Sequence, residues 1–200
     1  MASNPLPAEL AAQAESIVNT LTQTDYQYNG FIDAEAGIYD CDCNQFVACV
    51  LEGLAANHYA LIPKESKQPL PRAFEYYLYF SGLGTRTGGW RQIMRLADAR
   101  RGDVLAWELP LVKGQDTGHV VLVGDTPEEI EDGVWSVRVY DSADKPHFED
   151  TREDGTSGVG SGFIRFEVDA EGRPTGFMFS PEATVFEVRP IAIGRAEPLG

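Results

Sequence analysis

The sequence predicts an α+β fold, with N-terminal helices packed against a mainly antiparallel sheet of five to six strands. Three observations predict it. Apolar residues recur at helical spacing in the first half of the chain. After the turn signal Arg101-Gly102-Asp103 the apolar period shortens to that of strands. No boundary and no internal repeat divides the 200 residues, of which 43% are apolar, so a single domain with one sizeable core is expected over 1–200.

The elements follow in order. Pro7 suits a first helical turn, and Leu10, Ala14, Ile17, Val18 and Leu21 form an apolar stripe, which predicts a helix over 7–22. Residues 22–37 read as a loop carrying Tyr26, Tyr28 and Phe31. Residues 44–56 are the best core helix, with Phe46, Val47, Val50, Leu51 and Leu54 on one side and Asn57 as terminator. Three prolines make 61–71 a loop, and 71–80 opens on proline as an aromatic helix. One or two helical turns are expected over 90–96. Strands are predicted over 104–109, 119–124, 134–140, 162–168 and 184–188, with 175–179 as a sixth. The glycine-rich stretch 154–162 reads as a loop, and the residues after Ile193 as peripheral.

Charge and cysteine usage exclude several functions. The formal net charge is −15, which argues against a nucleic-acid groove and against a polybasic membrane anchor. No run of 18 apolar residues predicts a membrane span. Residues 1–10 lack a basic start and an apolar run, so no secretion signal is expected. A cytoplasmic protein, or a secreted one whose signal has been removed, fits this start. Three clustered cysteines, Cys41, Cys43 and Cys49, cannot staple a fold.

One of those cysteines has chemical interest. Cys43 falls where a loop meets the 44–56 helix, and free N–H groups at a helix start favour a thiolate and can hold an oxyanion. Asp42 beside it opposes the thiolate unless its carboxylate caps the helix. His119 heads an apolar strand after Gly118, and imidazole is the usual base for a thiol. His58 ends the helix that Cys43 begins, roughly 22 Å away at about 1.5 Å per residue. His147 sits in a charged loop. Asp141 closes the 134–140 strand, where a carboxylate could orient the base. The bland alternatives are an inert buried cysteine, a hydrogen-bonded sheet histidine and a turn aspartate.

Three segments taken together, Asp42-Cys43-Asn44-Gln45-Phe46-Val47, Arg100-Arg101-Gly102-Asp103-Val104-Leu105-Ala106-Trp107 and Gly118-His119-Val120-Val121-Leu122-Val123-Gly124, resemble motifs of the NlpC/P60 and CHAP group of papain-like cysteine amidases and peptidases. The resemblance spans about 39–142. Asn44-Gln45 departs from the usual Ser-Gly after the nucleophile. The resemblance implies a papain-like NlpC/P60-type fold and a thiol hydrolase acting on peptide or amide bonds, in that group often those of bacterial cell-wall peptides. Cys43 would be nucleophile, His119 base and Asp141 its orienting acid. Tyr39, Tyr28 and Asp42 are the oxyanion and cleft candidates.

Other readings remain open at this stage. Cys41 could replace Cys43 as nucleophile. The same residue order serves transglutaminase-like acyl transfer. A non-enzymatic peptide- or protein-binding module could use the same fold. Zinc on the three cysteines and one histidine is disfavoured by their spacing, so no cofactor and no metal is expected.

Overall fold

The computed structural model describes residues 4–84, 88–109 and 117–199. Helix α1 (Leu6–Thr20) has Pro7 in its first turn and buries Leu10, Ala11, Ala14 and Ile17. Three short strands follow: β1 (Gln23–Asp25), β2 (Phe31–Asp33) and β3 (Ile38–Asp40). They form a small sheet with β3 in the middle, parallel to β1 and antiparallel to β2. The predicted 22–37 loop is thus partly strand.

Helix α2 (Cys43–Tyr59) begins on a capping box. The Asp42 carboxylate accepts the Gln45 N–H at 2.9 Å, and the Asp42 N–H donates to Gln45 Oε1 at 3.4 Å. The helix runs past Asn57, with one non-helical residue at Ala55. Helix α3 (Ala73–Ser81) opens two residues after Pro71, and its Glu75 carboxylate accepts the Arg72 N–H at 2.7 Å.

The remaining strands are β4 (Trp90–Ile93), β5 (Val104–Glu108), β6 (Gly118–Val123), β7 (Glu128–Glu131), β8 (Val134–Ala143), β9 (Gly158–Val168), β10 (Pro174–Met178), β11 (Glu187–Val188) and β12 (Ile191–Ala196). They build one nine-stranded antiparallel sheet in the order β11-β10-β9-β8-β6-β5-β12-β4, with β7 added beside β8. The α+β class holds. The expected small sheet of five to six strands, and with it the papain-like NlpC/P60 architecture, is corrected by this count.

Each extra strand has a physical reason for escaping the sequence pattern. Trp90 and Ile93 are both buried at a spacing of three, which imitates a helix, yet they lie on an edge strand paired with β12. The glycine-rich stretch is the first half of β9. Gly158, Gly160 and Gly162 alternate along one face of it. A Cβ at Gly160 would meet the Arg152 side chain at 2.6 Å, and one at Gly162 would meet Asp150 Oδ2 at 2.6 Å. Gly160 and Gly162 therefore form a floor on which the loop after β8 lies close to the strand, while a Cβ at Gly158 would meet Thr24 and Asp25 of β1. The C-terminal strand β12 is not peripheral: it sits between β5 and β4.

The sheet buries both faces. On one, Val104, Ala106, Val120, Leu122 and Ala192 meet the three helices. On the other, Leu105, Trp107, Val121, Val139, Ile164, Phe166 and Phe177 form a second apolar cluster. Trp107 of β5 and Phe177 of β10 are far apart in strand order but have ring centroids 4.3 Å apart, so the sheet coils back on itself.

A buried ion pair locks β12 to the turn before β5. Arg195 donates from Nε to Asp103 Oδ1 and from Nη2 to Asp103 Oδ2, both at 2.7 Å. The Arg100 N–H and the Asp98 carbonyl complete the network at 2.8 Å each. Burial pushes the Asp103 carboxyl up, against the pull of Arg195. Gly102 next to it has φ +86°, and its α-carbon lies against the Pro7 carbonyl, where no side chain fits. No helix among the described residues is long and apolar enough to cross a membrane.

Candidate functional site

The polar centre of the molecule is Asp141. Its side chain is fully buried near the end of β8, beside β6, which carries His119. His119 Nε2 lies 2.6 Å from Asp141 Oδ2, so the predicted histidine–aspartate couple is present. Two residues outside the predicted site complete it. His147 Nε2 approaches the same Oδ2 at 2.9 Å, and Arg152 donates from Nη2 to Oδ1 at 3.0 Å. Both come from the loop between β8 and β9 that rests on the glycine floor.

That loop is fixed by its own bonds. The His147 N–H donates to Asp150 Oδ2 at 2.7 Å. Arg152 also donates from Nε to Asp150 Oδ1 at 2.9 Å and from Nη1 to the Gly158 carbonyl at 2.8 Å. Burial alone would raise the Asp141 carboxyl. The charges of His147 and Arg152, with the imidazole hydrogen bonds, outweigh it and hold the group well below the usual carboxylate range.

The second ring nitrogen of His147 decides what the cluster can do. His147 Nδ1 lies 2.9 Å from the Phe179 carbonyl, an acceptor, so Nδ1 carries a proton. Nε2 then faces a carboxylate with no proton left in the neutral ring. A positive centre is required at Nε2: a second proton, or a metal ion that both Nε2 and Asp141 would ligate. His119, Asp141 and His147 bring their ligand atoms within 4.8 Å of one another, the group among the described residues able to hold a metal. Two imidazoles and one carboxylate are a donor set used for first-row divalent metals. The Nδ1–H to carbonyl bond is the usual support behind a ligating histidine.

The predicted Cys43–His119–Asp141 triad is corrected here. The partners that close around the His119–Asp141 couple are His147 and Arg152. Cys43 opens α2 and is buried within the apolar cluster between helices and sheet. No cysteine belongs to the metal-capable group, so the cysteine-hydrolase reading gives way to a histidine–carboxylate cluster. Asp42 caps α2 and borders the cavity at the start of that helix. Tyr39 is buried on β3, while Tyr28 is largely exposed and borders two cavities.

His119 is the member of the group that reaches open space. It lines a cavity of about 150 Å³ whose other walls include Tyr26, Tyr28, Trp107, Phe177 and Phe179. A larger cavity of about 410 Å³ lies at the start of α2, between Asp42, Asn44 and Arg72, and His119 is not part of it.

Comparison with protein-family models, curated proteins and solved structures returns no match. The resemblance to the NlpC/P60 and CHAP group rests on its three motifs alone.

Cys41 illustrates the fate of the cysteines. It is fully buried just before α2, and its carbonyl accepts the Ser142 hydroxyl at 2.6 Å. Burial first, and then the charge of Asp42, pushes its thiol up to about 12. The group is raised relative to the unfolded chain, so its contribution to stability is intact below about pH 8.5 and is lost as pH rises toward about 12. The expected result is a fall in urea midpoint between pH 8.5 and 10 that is much shallower in Cys41→Ala. Equal slopes in the two proteins would refute the assignment.

Proposed function

We propose that the protein binds a first-row divalent metal ion of the zinc or iron(II) class through His119, Asp141 and His147. The observation that carries the reading is His147, whose two ring nitrogens both face acceptors, so that a metal ion or a second proton must sit at Nε2. Three protein donors leave a further coordination position for water or a ligand. Solvent reaches the group from the His119 side, the wall of the aromatic cavity. A bound ion there would supply Lewis acidity to a molecule held in that cavity. Arg152 stays on the outer oxygen of Asp141 and fixes the carboxylate's orientation.

A second reading is favoured by the short distances. A hydrogen bond of 2.6 Å from His119 and one of 2.9 Å from a doubly protonated His147 complete the coordination of Asp141 by protons alone. The cluster is then a buried clamp that holds the β8–β9 loop. The two readings differ in one experiment. Protein stripped with a chelator and titrated with Co²⁺ should take up one equivalent with visible ligand-field absorption, and His119→Ala and His147→Gln should abolish it. Uptake that is absent, or unchanged in both variants, leaves the clamp.

A further inference from the structure

We infer that the cavity beside His119 is a cage for a quaternary ammonium group. The inference goes beyond the metal reading and does not need an ion at Asp141. The cavity holds about 150 Å³, close to the volume that accepts one benzene-sized body. Five of its lining residues are aromatic, and several of their rings stand at steep angles to one another, though Trp107 and Phe177 lie 35° apart. Phe179 stands 80° to Trp107 and 66° to Phe177, and Tyr26 and Tyr28 meet at 78°. Rings gathered around one small volume are the residue type that stabilises a cation without hydrogen-bonding to it. The five rings come from the β1–β2 connection, β5, β10 and the residue just beyond β10, so no single element shapes the site.

Charge points the same way. The carboxylates of Asp144 and Glu187 stand at the cavity, both on exposed residues. Glu187 is partly neutralised by Arg189 at 2.5 Å, which leaves Asp144 as the stronger contributor. The chain as a whole carries −15 and draws cations toward it. A primary ammonium would lose hydrogen bonds to water on entering walls made of rings. A quaternary ammonium has none to lose, and its charge is stabilised by the ring faces. Both a choline-type small molecule and a trimethylated lysine side chain present this group.

The test uses the chelator-treated full-length protein, so that a metal, or its absence, does not enter the result. Choline chloride and its neutral isostere 3,3-dimethylbutan-1-ol are titrated while the amide signals of Gly118, His119, Phe177 and Phe179 and the Trp107 indole signal are followed by NMR. The cage requires saturable shifts at these positions, with choline binding about tenfold more tightly than the alcohol. Tyr28→Ala, on a side chain that is 59% exposed and outside the core, should weaken choline several-fold, and Asp144→Asn should do so without affecting the alcohol. A trimethyllysine peptide compared with its unmodified form distinguishes a protein ligand from a free small molecule. Equal affinity for choline and alcohol, or choline binding that ignores both substitutions, overturns the proposal. Absence of Co²⁺ uptake by the parent protein, which defeats the metal reading, together with choline binding as described, would leave it standing.

Discussion

Asp141→Asn destabilises the protein by about 3–5 kcal/mol, read as the unfolding free energy from urea titration at neutral pH. The substitution keeps the volume and removes one charge. It replaces one of the two carboxylates that face Arg152 by a neutral amide, leaving Asp150 as the partner, in a site where the aspartate side chain is fully buried and the arginine side chain is 3% exposed. The amide's NH₂ also cannot accept from a donor that now points at it, so at least one of the three present bonds is lost. His119→Gln serves as the comparison. It removes one hydrogen bond at the cavity wall and leaves the His147–Asp141–Arg152 core intact, so about 1–2 kcal/mol is expected. A loss below about 1 kcal/mol in Asp141→Asn would mean that the carboxylate is not the hub of the β8–β9 loop.

Asp103→Leu is expected to be as damaging, again about 3–5 kcal/mol, because it leaves the Arg195 guanidinium buried without its bidentate partner. The double variant Asp103→Leu with Arg195→Met should recover most of that loss, to within about 1–2 kcal/mol of the parent, since buried pairs replaced on both sides by apolar groups are close to neutral. The contrast between single and double variant is the readout. If the double variant is as unstable as the single one, the pair is not what holds β12 against the turn before β5, and the network through Asp98 and Arg100 carries the lock instead.

Much of the order of elements was legible in the residues. The stripe of Leu10, Ala14 and Ile17 marks α1, and Phe46, Val47, Val50 and Leu51 mark α2, because one-sided burial imposes a period of 3.6. The run after Gly118 marks β6, since a strand covered on both faces is apolar throughout. A helix cap was one of the roles open to Asp42, and Asp141 announced itself as the acid beside His119.

Errors cluster where a residue's role depends on what lies across the fold. Gly158, Gly160 and Gly162 read as a loop because glycine is common in turns. Their alternation was the overlooked signal: a period of two is a strand's, and absent side chains on one face mean that another segment lies there. Over Gly160 and Gly162 that segment is the loop that delivers His147, which its charged neighbours Asp144, Lys145 and Glu149 disguised as solvated surface. A hint existed in the six-residue spacing from Asp141, short enough for the chain to turn and bring an imidazole back to the carboxylate.

Periodic burial is a local property, repeated every two or nearly four residues, so helices, strands and the His119–Asp141 couple could be read along the chain. Which groups share the buried carboxylate is a property of loop closure and strand order. A cysteine at a helix start carries the same sequence signal whether its sulfur serves a base or packs among apolar side chains. Folding buried Cys43 in the cluster between helices and sheet and set His147 and Arg152 on Asp141, because a charge taken out of water must be met by whichever donors the topology brings within about 3 Å.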